Sequence, residues 1–357
     1  MADFDNDLAA TVTYLASAFG AGFTAGYATA NFLRTKTSPR EATEPPEIKH
    51  GTLKDPSNAA IWERRDPIDP VHPRSVPNGG KPIVCIANMK GGVGKTTLTA
   101  NLAAYFAVKQ KKRVLLIDFD YQGSLTTMCL SAAGITTLSQ KSQALIQATS
   151  VDAALSMPEN LRPALPNVDI FTSYYDLAAI ETDQMVAWLT GAIKDTRFHL
   201  STILQSAAFQ SKYDIVLIDA PPRFTTSSIN ALCACTHLLI PTKMDNLSTE
   251  AVVYFAKDIE RMKAKLFPSI RLLGVVPTLT NQEGLSTREN ATRQRLMAVL
   301  REILGTVDMD MKDQHVPTRT IIEEVAGTDI AYLTKGAPGR EPKRIFDRLG
   351  DAVFSRL

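Results

Sequence analysis

The sequence predicts a doubly wound, mostly parallel α/β domain, preceded by an N-terminal hydrophobic helix and a linker. Three observations predict it. From Lys81 onward, short apolar runs bounded by turn or polar residues alternate with helix-compatible stretches. Continuous runs of that kind suit strands covered on both faces. Residues 8–33 carry no Asp, Glu, Lys or Arg, and 9 of the 20 prolines lie between residues 34 and 82.

The segment 8–33 is framed by Asp3, Asp5 and Asp7 on one side and by Arg34, Lys36 and Arg40 on the other. About 20 mainly apolar residues suffice to span a bilayer, so its length fits a membrane helix. Gly22 and Gly26 form a G-x-x-x-G pair one turn after Ala18, which suits close helix contacts in lipid. Its richness in Ala, Gly, Ser and Thr also fits a soluble helix packed on protein, but the length criterion favours the membrane. The acidic start argues against a cleaved secretory signal. The basic flank would stay cytoplasmic, placing the rest of the chain at the cytoplasmic face of a bacterial inner membrane. Residues 34–80 read as a proline-rich linker, and Ile61-Trp62 within it reads as a contact docked on the main domain. Residues 81–357 read as one α/β domain.

The expected strands in that domain are 83–87, 114–117, 168–171, 215–218, 238–240 and 272–276; the expected helices include 96–109 and 249–263. Overall composition adds limits. With 39 Lys plus Arg against 37 Asp plus Glu, the net charge of +2 gives no bulk electrostatic argument for nucleic acid. Four cysteines in 357 residues are too few for a disulfide framework.

After the first strand comes Asn88-Met89-Lys90-Gly91-Gly92-Val93-Gly94-Lys95-Thr96-Thr97, then a helix. Strand, Gly-rich loop, Lys-Thr and helix is the phosphate-loop context. Glycines turn backbone N–H groups toward phosphate oxygens, and the helix N-terminus adds positive potential. Lys95 would reach the β- and γ-phosphates, and Thr96 would offer its hydroxyl to Mg²⁺. Met89 stands where the ordinary motif has its first glycine, and Lys90 opens the loop instead.

This "KGGVGKTT" run resembles the deviant Walker A loop of the ParA/MinD family. The resemblance implies an ATPase with ATP and Mg²⁺, forming an ATP-dependent homodimer in which Lys90 acts across the interface. "RVLLIDFDYQGS" at 113–124 resembles the family's second motif. It implies Asp118 near Mg²⁺ and Asp120 as the residue orienting the attacking water, with Tyr121 where proline is usual. "YDIVLIDAPP" at 213–222 resembles its Walker B strand, ending at Asp219, which the resemblance places behind the metal's direct ligands, beside the phosphate loop. Pro277 and Pro317 lie where the family forms its adenine pocket. The family also implies a ParB-like or other activating protein and non-specific DNA contact, for which Arg288, Arg293, Arg295, Arg301, Arg319, Arg340, Lys343 and Arg344 are candidates. Residues 281–357 nevertheless hold 12 basic and 12 acidic side chains.

Other readings compete. Thr242-Lys243-Met244-Asp245 resembles a guanine-reading motif, but it follows Asp219 after only 23 residues. Cys233 and Cys235 read as buried residues, since two cysteines cannot complete a tetrahedral metal site. The apolar stripe Ile345, Phe346, Leu349, Val353 and Leu357 reads as core packing by a last helix rather than as a membrane-binding face. A membrane-attached MinD-like or tyrosine-kinase-like regulator is the alternative function; the last tyrosine, Tyr332, does not lie in a Tyr-rich tail.

Overall fold

Eight strands build one sheet in the order β3-β4-β2-β5-β1-β6-β7-β8. The computed structural model describes residues 59–66, 80–137, 139–305, 310–318 and 320–357. The expected helix at 8–33 and most of the 34–80 linker lie outside these. Among the described residues, no helix is long and apolar enough to cross a membrane.

In chain order the elements are β1 (Ile83–Ile86), α1 (Lys95–Val108), β2 (Val114–Asp118), α2 (Ser124–Ala133), α3 (Ser142–Ile146), α4 (Val151–Leu155), β3 (Glu159–Asn160) and β4 (Val168–Phe171). Then come α5 (Asp176–Thr190), α6 (His199–Leu204), α7 (Ala207–Lys212), β5 (Ile215–Asp219), α8 (Thr226–Ala234), β6 (His237–Thr242), α9 (Asn246–Leu266) and β7 (Arg271–Thr280). The chain closes with α10 (Thr287–Leu304), β8 (Val316–Pro317), α11 (Thr320–Glu324) and α12 (Arg340–Phe354). All six expected strands are present. Only β3 and β8 were not anticipated, because two residues carry no periodicity.

The pairings are parallel except for the antiparallel β3–β4 edge. Alternation within each strand divides the core between two layers. Ile83, Cys85, Leu115 and Ile117 join α3 to α10 on one face. Val84, Ile86, Val114 and Leu116 join α1, α2 and α12 on the other. Burial on both faces explains why these strands read as continuous apolar runs.

α8 is buried along its whole length, and a capping box between Thr225 and Ser228 starts it. Cys233 and Cys235 are buried free thiols, pushed up by burial. α12 buries Ile345, Phe346, Leu349 and Val353, each worth about 1.5–3 kcal/mol. The stripe is therefore core. Gly350 lets α12 approach α1: a Cβ there would lie 2.4 Å from a Tyr105 ring carbon.

The Ile61-Trp62 spot also docks. Ala59–Glu63 is a 3-10 turn whose Trp62 stacks on Trp188, centroids 5.7 Å apart. Arg197 lies over Trp188 at 4.6 Å and donates to the Trp62 and Arg65 carbonyls at 2.6 and 3.0 Å. Asp195 neutralises it within the core, at 2.5 Å.

Candidate functional site

Because the central strands are parallel, the loops after β1, β2 and β5 emerge at one edge, beside the start of α1. Ligand sites in such sheets form at these carboxyl ends. The loop after β1 is anchored at its entry. Asn88 donates through Nδ2 to the Pro241 carbonyl at 2.8 Å and accepts from the Lys90 N–H at 2.9 Å. Gly92 and Gly94 adopt φ of 68° and 80°, a left-handed conformation that glycine enters without a Cβ penalty. Gly91 between the lysine and these turns is exposed, whereas Val93 is buried. Thr278 Oγ1 donates to the Val93 carbonyl at 2.8 Å, fastening the loop to β7.

Gly94 caps α1, so the N–H groups of Lys95, Thr96 and Thr97 fall in a first turn without intrahelical partners. Lys95 is 7% exposed and its Nζ donates to the Lys90 carbonyl at 3.1 Å. Burial pulls its ammonium below the usual lysine value, against the attraction of Asp219 and Asp120. Thr96 Oγ1 donates to Asp219 Oδ2 at 2.7 Å.

Asp118 and Asp219 face each other across the β2–β5 register. Both are essentially inaccessible to solvent. Burial, then the neighbouring Asp219, drives Asp118 well above the ordinary carboxylate range. Burial also raises Asp219, opposed by Thr96 and Lys95. Asp118 Oδ2 accepts from the Thr126 N–H and hydroxyl at 2.8 and 2.7 Å, and Oδ1 accepts from the Asp120 N–H at 3.1 Å. Asp219 differs: its Oδ1 is buried with no hydrogen-bond partner.

Two buried carboxylates with one buried ammonium form an arrangement that a divalent cation completes. The unpartnered Asp219 Oδ1 and the adjacent Thr96 hydroxyl fit Mg²⁺, which takes oxygen ligands and few protein groups. Among the described residues, no three His, Cys, Asp or Glu side chains form a self-sufficient metal cluster.

The loop after β2 carries Asp120, whose Oδ1 accepts from the Gln122 N–H at 3.1 Å. Tyr121 is tied down by contacts absent from the motif. Arg223, from the loop after β5, sits over its ring at 4.6 Å, and Tyr175 lies 6.3 Å away. Gly123 is required beneath them, because a Cβ would meet the Ser173 carbonyl at 2.7 Å. Ser173, Tyr175 and Arg223 belong to no motif, and no sequence signal marked them.

A cavity of about 90 Å³ borders the loop where the adenine region was expected. Pro317, Thr278, Leu279 and Thr97 line it, but Pro277 does not. Pro277 instead pairs with Thr242 in the sheet, so the lining begins one residue later. Leu279 has φ 53° with 38% of its surface exposed. Strain of this kind collects at functional sites.

Asp245 of the guanine-like run does not line that cavity. It caps α9, accepting from the Ser248 N–H and hydroxyl at 2.7 and 2.8 Å. Lys90 Nζ lies 3.7 Å from it. The basic candidates at the C-terminal end are divided. Arg293 is buried and paired with Asp310, and Arg344 lies 3.7 Å from Glu341. Arg288, Arg295, Arg301, Arg340 and Lys343 are exposed, and Arg319 is outside the described residues.

Residues 81–272 match the family described as an AAA domain. The chain is 33% identical to the chromosome-partitioning ATPase Soj of Thermus thermophilus, over 77% of this chain and 96% of that one. It is 30% identical to the chromosome partitioning protein ParA of Caulobacter vibrioides, over 57% of this chain and 71% of that one. Among solved structures, Cyanothece McdA superposes with a TM-score of 0.59 at 20% identity, covering 76% of this chain and 98% of McdA. A plasmid partition protein of Borrelia burgdorferi bound to AMPPNP superposes with a TM-score of 0.56 at 21% identity, covering 77% and 98%.

Proposed function

Since the chain belongs to the ParA/MinD family of P-loop ATPases, we propose that it is a Mg²⁺-dependent ATPase working as an ATP-controlled dimerisation switch. The switch segregates or positions a cargo, either DNA or a protein complex. One observation carries the reading: the Lys95 ammonium, the Thr96 hydroxyl and the Asp219 carboxylate converge on the start of α1, where Lys95 also meets the Lys90 carbonyl. Phosphoryl transfer needs this positioning and charge more than covalent chemistry.

The backbone of Gly91, Gly92, Val93 and Gly94 wraps the phosphates, with the N–H groups of Lys95, Thr96 and Thr97 facing them. Lys95 balances charge at the β- and γ-phosphates. Thr96 and Asp219 would hold the ion, with Asp118 behind them, its orientation fixed by Thr126. Bound Mg²⁺ supplies charge neutralisation at the transferred phosphoryl group. Asp120 orients the attacking water. Lys90 leaves Asp245 and reaches the nucleotide of a second subunit, much as an arginine finger would. A ParB-like or other activating protein accelerates hydrolysis, and exposed arginines such as Arg288 and Arg295 offer non-specific DNA contact. Residues 8–33 tether the dimer to the cytoplasmic face of the inner membrane. A tyrosine-kinase-like role is disfavoured, because Tyr332 is buried and donates to Asp347 at 2.7 Å.

The test is Lys90→Ala. It should retain monomeric ATP binding and lose ATP-dependent dimers in sedimentation velocity. Unchanged dimerisation would remove the cross-subunit role.

A further inference from the structure

A second cavity, of about 390 Å³, opens at the amino ends of β6 and β7. Because β6 runs parallel to β1, this is the sheet edge opposite the phosphate loop. Its size falls in the range of small-molecule sites, which pair apolar walls with a few convergent polar groups. Ile240, Ile259 and Leu304 belong to its walls. The charged lining is of one sign: Lys263, Arg271 and Arg356, with no Asp or Glu.

The polar groups are not all accounted for by the fold. His237 is 6% exposed, its Nδ1 lies 2.7 Å from Thr236 Oγ1, and its Nε2 is buried without a hydrogen-bond partner. Leaving a buried polar atom unpaired is unfavourable, so a partner supplied by a ligand would be favoured. Burial and the adjacent Arg271 lower its pKa to about 4, so the ring is neutral at pH 7. Thr236 can give its proton to Nδ1, which leaves Nε2–H as a donor; its other option is the Ile83 carbonyl at 3.0 Å. Arg271 is exposed and engages no carboxylate among the described residues. Lys263 lies 3.9 Å from Glu260, its one carboxylate among the described residues.

We propose that this cavity binds an amphipathic carboxylate. Its hydrocarbon chain lies along the walls formed by β6, β7 and α9, and its head group is held by Arg271 and Lys263 with His237 beneath. The shared chemistry, an acyl chain ending in an anion, could come from a free acid or from a membrane lipid. A cavity of this size, rather than an extended flat face, takes one acyl chain and favours the free acid. This inference does not depend on the nucleotide site.

The experiment titrates the full-length protein with dodecanoate, below its critical micelle concentration, by isothermal calorimetry. We expect one saturable site, with dodecyltrimethylammonium about tenfold weaker or worse. Arg271→Gln should weaken dodecanoate about tenfold, and Ile259→Trp, which fills the cavity, should abolish it. Unaltered binding of a fluorescent ATP analogue certifies that both variants are folded. Absent binding, equal binding of the cationic chain, or binding that survives both substitutions overturns the proposal. So does binding to phosphatidylglycerol vesicles without binding of dodecanoate, which would make this face a membrane contact.

Discussion

Replacing Asp245 by Asn should strengthen ATP-dependent dimerisation. Lys90 Nζ lies 3.7 Å from Asp245 Oδ1, with the two side chains 33% and 51% exposed. Burial opposes ionisation of Asp245, but the Ser248 hydrogen bonds and the charges of Lys90 and Lys243 outweigh it and hold the carboxyl below its usual range. The carboxylate therefore competes at neutral pH with any phosphate that Lys90 must reach in a second subunit. A pair this exposed is worth about 0.2–1 kcal/mol. A symmetric dimer releases two, so about 0.4–2 kcal/mol, or a two- to thirtyfold lower dimer Kd, should be recovered. The substitution removes the charge and keeps the cap, with the Ser248 hydroxyl turning from donor to acceptor at the amide nitrogen. Asn caps a helix as well as Asp does, so its side-chain oxygen still serves the Ser248 N–H, 2.7 Å away in the native protein. Sedimentation velocity with a slowly hydrolysed ATP analogue at low salt measures the gain. The gain should shrink at high salt, where exposed pairs are screened, and vanish on a Lys90→Ala background. Weaker or unchanged dimerisation at low salt, or a gain that persists without Lys90, would refute the competition.

Trp62→Ala should cost about 3–5 kcal/mol in urea unfolding, because it removes the stack on Trp188 and opens a core cavity; a loss under about 1 kcal/mol would show that the 59–66 turn is not part of the core. Arg113, at 2.8 Å, holds Asp214 down to about 2 from an ordinary 3.8. A depressed folded-state value gives stability present above about pH 4 and lost as pH falls through 2, so Asp214→Asn should remove roughly 1–2 kcal/mol of that acid-sensitive stability. Stability curves of equal slope below pH 4 would contradict it. Tyr121→Ala removes the Arg223 contact over its ring, worth about 0.5–1 kcal/mol. Amide exchange at residues 120–123 should therefore rise about two- to fivefold, and unchanged protection would show that the loop is held by other contacts.

The parts of this site legible in the sequence are those whose physics is contiguous. A phosphate loop needs its glycines, lysine and threonine in immediate succession between a strand and a helix, so 90–97 declares itself. The buried strands before Asp118 and Asp219 are likewise continuous apolar runs. What escaped depends on residues brought together from far apart. Thr96 and Asp219 are separated by 123 residues, and nothing in either motif signals that one donates to the other. The Trp62–Trp188 stack was foreseen only as an apolar spot needing a partner. The Thr242–Asp245 run shows the converse: four residues can match a base-reading motif while the aspartate acts as a helix cap and a counter-charge for Lys90. A motif names the side chains available, and tertiary placement decides which charge each one meets. That choice matters most at Lys90: the ammonium proposed to complete a second subunit's site lies 3.7 Å from Asp245 of its own chain. In the proposed switch, strength would depend on the difference between two local contacts, one to a carboxylate and one to a phosphate, rather than on the presence of the lysine alone.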